Sequence, residues 1–131
     1  MAVVLDHTII PVRDQQEAVA FYTAILGLQD GGTVGPFAVV RVTDSPTLDF
    51  IVDEASPSRH YEGRGHYAFA MDADEFDAAF RRIQAAGIPY GDGPHEADNR
   101  RGPGMTLGAR GQGKAVYFHD PSGHLLEIRT Y

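Results

Sequence analysis

Tyr117-Phe-His-Asp-Pro-Ser-Gly-His-Leu-Leu-Glu-Ile-Arg-Thr130 reads as a strand, a tight turn at Asp120-Pro-Ser-Gly123, and a second strand with Glu127 in its middle. Proline and glycine supply the turn dihedrals, and the Val/Tyr/Phe and Leu/Ile/Thr runs on either side favour a pleated backbone. Side chains alternate along a strand, so Leu126, Ile128 and Thr130 face one way and Leu125, Glu127, Arg129 and Tyr131 the other. A carboxylate among apolar neighbours on an interior strand is costly unless a cation or hydrogen bonds compensate it. The other candidate groups must therefore be sought upstream.

The chain upstream shows one pattern twice. Val3 to Val12 is a β-branched run expected as a strand buried on at least one face, with Leu5, His7 and Ile9 sharing a side. Asp14-Gln-Gln-Glu17 has the capping-box spacing, and Ala18, Phe21, Tyr22, Ile25 and Leu26 follow at helical intervals up to Gly27. Gly31 to Gly35 reads as a turn cluster, and Phe37 to Val42 and Thr47 to Val52 as strands. After a polar linker the order restarts: strand Gly65 to Met71 with His66 at its head, capping box Asp72-Ala-Asp-Glu75, stripe Phe76, Ala79, Phe80, Ile83, and Gly87 as the stop. Short strand-like pieces near Pro89-Tyr90 and Met105-Leu107 precede the closing hairpin. His7 and Asp49 in the first half thus match His66 and Glu127 in the second, an internal repeat of a βαβββ unit. The later interval is longer, so the second copy carries an insertion in the Gly-rich stretch 91–113, expected as a mobile lid over a cleft. The expected division is module one at about 1–54, linker at about 55–64 and module two at about 65–131, forming one domain.

Composition narrows the chemistry. With 131 residues, 43% of them apolar and 22% charged, the chain can bury a real core as a single domain. It has no cysteine, which excludes disulfides and thiolate ligands and leaves His, Asp and Glu for any metal. A net charge of −7 without a basic stripe argues against nucleic acid or an anionic membrane as partner. There is no apolar run of membrane-spanning length and no secretory leader pattern, so the expected location is cytoplasmic.

Leu5-Asp-His7, Ala20-Phe-Tyr22 with Leu26-Gly27, Gly65-His-Tyr-Ala-Phe69 and Asp120-Pro-Ser-Gly-His-Leu-Leu-Glu127, in that order, resemble the vicinal oxygen chelate superfamily. Its members include glyoxalase I, extradiol dioxygenases, fosfomycin-thiol transferases and bleomycin-resistance proteins. The resemblance implies an α+β fold of two βαβββ modules forming a U-shaped half-barrel around a metal. It places the metal ligands on His7, His66 and Glu127, and implies a divalent ion such as Fe2+, Mn2+, Zn2+ or Ni2+. Two imidazoles and one carboxylate make a facial triad that leaves room for a bidentate substrate. Such an ion would also compensate Glu127.

Other assignments stay open at this level. Asp49 sits where glyoxalase I holds a fourth ligand, usually glutamate; being shorter, it acts through water, serves as a nearby base, or merely lines the wall. Tyr117 matches a substrate-facing tyrosine of the dioxygenases and fosfomycin transferases, and otherwise packs as an ordinary aromatic. Arg129 either pairs with an anionic substrate or is a surface or dimer-contact charge. His60, His95, His119 and His124 read as solvated histidines in or beside turns and the linker, with His119 an acid or base if its strand end faces the cavity. The chain lacks the basic, serine-bearing loop of fosfomycin transferases and the additional histidines of extradiol enzymes.

The expected function is a divalent-metal-dependent enzyme that chelates adjacent oxygens of a small substrate, as a ring-cleaving dioxygenase or a glyoxalase-like lyase or isomerase. Thiol transfer ranks behind these. The alternative is a metal-free drug- or metabolite-binding resistance protein using the same cleft. Short members of the superfamily commonly exchange modules between partners, so a homodimer is expected, with His7 from one copy and His66 and Glu127 from the other.

Overall fold

Thr47 sits at the head of a strand that pairs in parallel with the first strand of the chain, and that pairing organises the first half of the molecule. The computed structural model describes residues 2–44, 46–52 and 65–131. The linker expected at 55–64, with His60, lies outside the described residues. Two compact units result, Met1–Gly63 and Arg64–Tyr131.

In the first unit the order is β1 (His7–Val12), α1 (Gln15–Leu26), β2 (Gln29–Val34), β3 (Phe37–Arg41) and β4 (Thr47–Val52). The sheet runs β1-β4-β3-β2, with β1 parallel to β4 and the other pairs antiparallel. Asp14 caps α1 by accepting from the Glu17 amide at 2.8 Å, and Gly27 ends it in the left-handed conformation at φ 71°. The helix lays Ala18, Tyr22, Ile25 and Leu26 into the core, where the Tyr22 ring meets Phe50 at 4.9 Å between centroids. Fully burying each such aromatic contributes about 2–3 kcal/mol.

Two sequence expectations change here. The first strand starts at His7, and Val3, Val4 and Leu5 are exposed. Pairing with β4 begins only at His7 and Thr47, because Pro46 precedes Thr47 and has no N–H to extend the ladder. Conversely, the expected turn cluster Gly31 to Gly35 is mostly strand β2. A bulge between Asp30 and Gly32 absorbs the left-handed glycine, and the Asp30 carboxylate accepts from the Gly32 amide at 2.8 Å.

The second unit repeats this plan: β5 (His66–Ala70), α2 (Ala73–Ala85), β6 (Tyr90–Gly91), β7 (Gly104–Gly108), β8 (Gly111–His119) and β9 (Leu125–Thr130). Its sheet runs β5-β9-β8-β6, and β7 also pairs with β8. Asp72 caps α2 through the Glu75 amide at 2.8 Å, and the helix packs on β9 with Phe76, Ala79 and Ile83 buried. Both β6 and β7 pair with β8, as β2 pairs with β3, so they act as two halves of one strand interrupted by residues 92–103. The stretch 91–113 is therefore not a separate lid. Much of it is the β7–β8 hairpin, whose tip lines the cleft described next.

Each unit is a mixed sheet with one helix, the βαβββ plan read from the repeat. The fold class is α+β.

Candidate metal centre

Glu127 lies on β9 between two partners of different hand. Parallel β5 places His66 beside Leu125 and Ala68 beside Glu127, while antiparallel β8 sets Tyr117 directly opposite Glu127. The carboxylate therefore emerges beside an imidazole and a phenol supplied by neighbouring strands.

His66 Nε2 stands 3.0 Å from Glu127 Oε1, and its Nδ1 stands 3.2 Å from the Leu125 carbonyl. The carbonyl and the carboxylate both only accept, so a neutral ring, with a single N–H, can donate to one of them and not to both. With the proton on Nδ1, Nε2 turns its lone pair toward a carboxylate oxygen, itself an acceptor. Two acceptors that close need a cation, either a proton on Nε2 or a metal ion held by both atoms. A metal-ligating histidine commonly has its other nitrogen tied to a backbone carbonyl in this way. The donor set of one imidazole and one carboxylate oxygen fits Fe2+, Mn2+, Zn2+ or Ni2+. The His66 side chain is 47% exposed and that of Glu127 only 6%, so the nitrogen is reachable from solvent while the carboxylate is held inside.

The remainder of the carboxylate is accounted for by Arg129, which is 3% exposed. Its Nη1 donates to Glu127 Oε2, and its Nη2 donates to the Thr106 carbonyl at 2.7 Å. Nη1 also approaches Thr106 Oγ1 at 3.4 Å, and that hydroxyl is 2.8 Å from Tyr117 Oη. Burial pulls the guanidinium downward, but the hydrogen bond and charge of Glu127, aided by Tyr131 and Tyr117, more than offset it, so Arg129 is held above its ordinary range and stays charged. The centroid of the Tyr131 ring lies 4.9 Å from its guanidinium carbon and 4.5 Å from that of Arg110. A cleft of about 330 Å³ opens above this group, lined by His66, Glu127, Arg129, the hairpin tip Leu107 to Arg110, and Tyr131.

His7 and Asp49 belong to the first unit. The His7 ring meets the Asp6 carboxylate at 2.7 Å. That hydrogen bond raises its pKa against slight desolvation, with Asp49 and Asp6 adding by charge. Asp49 Oδ1 accepts from the Thr47 hydroxyl at 2.8 Å. Among the described residues no group of three or more His, Asp or Glu is close enough to hold a metal ion. The second unit thus brings together His66, Glu127, Tyr117 and Arg129.

Three contributors were not singled out from sequence. Thr106 binds both Tyr117 and Arg129; its only signal was the alternation Met105-Thr-Leu107 in a strand-like piece. Gly108 lies against the guanidinium, where a Cβ would collide with Arg129 and the Tyr131 hydroxyl. His124, read as a solvated turn histidine, is fully buried and accepts from the Gly65 amide at 2.8 Å through Nδ1. Asp120 accepts from the His124 amide at 2.8 Å, so the turn that closes the hairpin also pins the residue preceding His66. A turn composition hides this, because Asp120-Pro-Ser-Gly123 reads as surface whereas its last hydrogen bonds point inward. His95 and His119 are exposed, as expected.

Known proteins carry the same architecture. The solved structure of "Oxidase ChaP-H2" is 34% identical, covers 100% of this chain and 95% of its own, and superposes with a TM-score of 0.82. "Oxidase ChaP-H1" is 37% identical over 99% of this chain and 97% of its own, with a TM-score of 0.81. Among curated proteins, "Metallothiol transferase FosB" of Shouchella clausii (strain KSM-K16) is 28% identical over 129 residues, 96% of this chain and 79% of that protein. The family model for the Glyoxalase/Bleomycin resistance protein/Dioxygenase superfamily matches residues 4–128. The chain belongs to that superfamily.

Proposed function

We propose that the protein is a divalent-metal-dependent enzyme whose substrate is a small molecule binding through two adjacent oxygens. The observation that carries this reading is the confrontation of His66 Nε2 and Glu127 Oε1 at 3.0 Å, with the other imidazole nitrogen committed to the Leu125 carbonyl. His66 and Glu127 supply two ligands, and His7 is the third. When bound, the ion supplies Lewis acidity and a lowered pKa for coordinated oxygens. The chain's own groups do the remainder. Tyr117, tied to Thr106 through its hydroxyl, places a phenolic donor beside the carboxylate ligand. Asp49 is the nearby base or water-linked fourth ligand. The cleft that would take the substrate is lined by His66, Glu127 and Arg129.

Oxidative chemistry is the favoured branch, because ChaP-H1 and ChaP-H2, named oxidases, share more identity with this chain than FosB does. We assign iron to that branch. Thiol transfer, suggested by FosB, is disfavoured by the hairpin tip Leu107-Gly-Ala-Arg110, which lacks a serine-bearing basic loop.

A homodimer completes the reading. Among the described residues β1 and β5 each stand at one edge of their sheet, and Val3, Val4, Leu5 and Ile9 are exposed on or before β1. An isologous interface would bury this apolar surface and lend His7 of one copy to the site of the other. Mixing His7→Ala with Glu127→Ala chains tests this. One intact site returns in the mixed dimer if ligands cross, and none returns if they do not. Iron-loaded protein with oxygen should convert catechols; oxygen-independent isomerisation of hemithioacetals by zinc- or nickel-loaded protein would displace the oxidative branch.

A further inference from the structure

Both oxygens of Glu127 are spoken for by different partners, and the one facing away from His66 is locked. Oε2 accepts from Arg129, a residue 3% exposed whose guanidinium is seated on four sides. The Thr106 carbonyl holds Nη2 at 2.7 Å. Tyr131 stacks over it. Gly108 lets the backbone pass directly against it, and a Cβ on Gly113 would come within 3.0 Å of Nη2. Arg129 Nε is the one buried side-chain polar atom without a partner among the described residues, so this seat is kept although it leaves a donor unmet. A mere surface charge would need none of these arrangements. At the equivalent position of the first unit, two residues after Asp49, stands Ile51.

We propose that Arg129 is a positioning and specificity-determining residue: it occupies Glu127 Oε2, leaves Oε1 alone to a metal, and cancels the carboxylate charge. This rests on the metal reading above. The consequence is a matter of charge. A divalent ion with neutral imidazoles and one free carboxylate would present a net charge of one. With Arg129 fixed against that carboxylate, the full double charge is left for the substrate to meet. The site therefore selects chelators that bring two adjacent anionic oxygens over those that bring one. Arg129 acts through Glu127 and the field of the site, without touching substrate.

The test compares wild type with Arg129→Met, which keeps much of the buried stem and removes charge and fork. Zn2+ affinity is measured by competition with a fluorescent chelator. Binding to the Zn2+-saturated proteins is then measured with oxalate, which carries two adjacent anionic oxygens, and glycolate, which carries one. The expected result has opposite signs: Arg129→Met holds Zn2+ several-fold more tightly, because the whole carboxylate becomes available. Its preference for oxalate over glycolate falls by about tenfold. A merely structural role would weaken metal and both anions together, and that outcome, or an unchanged oxalate preference, overturns the proposal. If Arg129→Met does not fold, Gly108→Ala gives the metal arm of the test, since its Cβ would displace the guanidinium from Glu127 while keeping every charge. Tighter Zn2+ there supports the lock, and unchanged or weaker Zn2+ overturns it. Failure of the underlying reading looks different: wild type and Glu127→Gln would both show no Zn2+ binding, whatever residue stands at 129.

Discussion

The two units have the same strand plan but furnish equivalent positions differently. In each, a histidine heads the first strand and a carboxylate sits on the strand that pairs with it in parallel. Across the next ladder Asp49 faces Val39, whereas Glu127 faces Tyr117. Two residues on, Ile51 corresponds to Arg129. Asp49 is half-buried and satisfied locally by the Thr47 hydroxyl, and His7 leans on exposed Asp6. Glu127 is buried, with one oxygen on His66 and the other on a seated arginine. The repeat therefore fixes where carboxylate and imidazole stand, and the neighbours decide whether they form a rigid centre. The first unit leaves its imidazole on an exposed carboxylate, and the second holds its imidazole against a buried one.

The sharpest way to break this contrast is to remove the seated cation. In chelator-treated protein, Arg129→Ala should lower unfolding free energy by about 3–5 kcal/mol, because it leaves a buried carboxylate uncompensated. The equivalent Ile51→Ala in the first unit should cost about 1–2 kcal/mol, since a half-buried side chain loses only part of its transfer energy. Denaturant unfolding measures both. Equal losses would mean that the Glu127–Arg129 pair is no more structural than ordinary packing.

A second change makes the site resemble the first unit more closely. Tyr117→Phe keeps the ring and deletes the hydroxyl bonded to Thr106. It should reduce turnover by about 10²-fold if the phenol donates to charge developing on substrate. Metal content should stay the same. Loss of metal in this variant would assign the hydroxyl to the architecture of the centre instead.

Asp49→Asn probes the other side of the comparison. The amide oxygen can still accept from Thr47, so stability should change by less than about 1 kcal/mol. Metal content should hold while the pH profile of turnover shifts. If Asp49→Asn loses the metal, as predicted for Glu127→Gln, Asp49 is a ligand of equal rank.

The smallest effect lies on α1. The hydrogen bond from Arg13 to Glu17, with the Arg13 charge, holds Glu17 below its usual carboxylate range despite slight desolvation. A depressed carboxylate contributes stability above its unfolded pKa and loses it as pH falls through the folded value. Glu17→Gln should therefore melt slightly below wild type at neutral pH and match it well below pH 4. Both groups are solvent-facing, so the difference will be slight and will shrink with salt.

Local signals carried much of this arrangement. Asp14 and Asp72 announced both helices because a cap is a matter of a few adjacent residues. The matched order His7–Asp49 and His66–Glu127 exposed the repeat, and strand alternation alone placed Arg129 on the face of Glu127. What sequence did not show depends on pairing across distance. Thr106 reaches Arg129 only because β7 folds onto β8, and the glycines that permit this read as a loop. His124 looked like part of a solvated turn, yet its imidazole holds the Gly65 amide from within. Val3 to Leu5 look like core strand by composition and are exposed, because the partner ladder begins at Thr47.

The proposed metal centre rests on the His66–Glu127 pair. Elemental analysis of untagged wild type and Glu127→Gln, purified side by side and both confirmed folded by circular dichroism, measures this directly. The prediction is about one divalent ion per chain in wild type and almost none in Glu127→Gln, because the neutral amide can neither balance the ion nor replace Oε1 as a ligand. Equal metal content in the two proteins would contradict it.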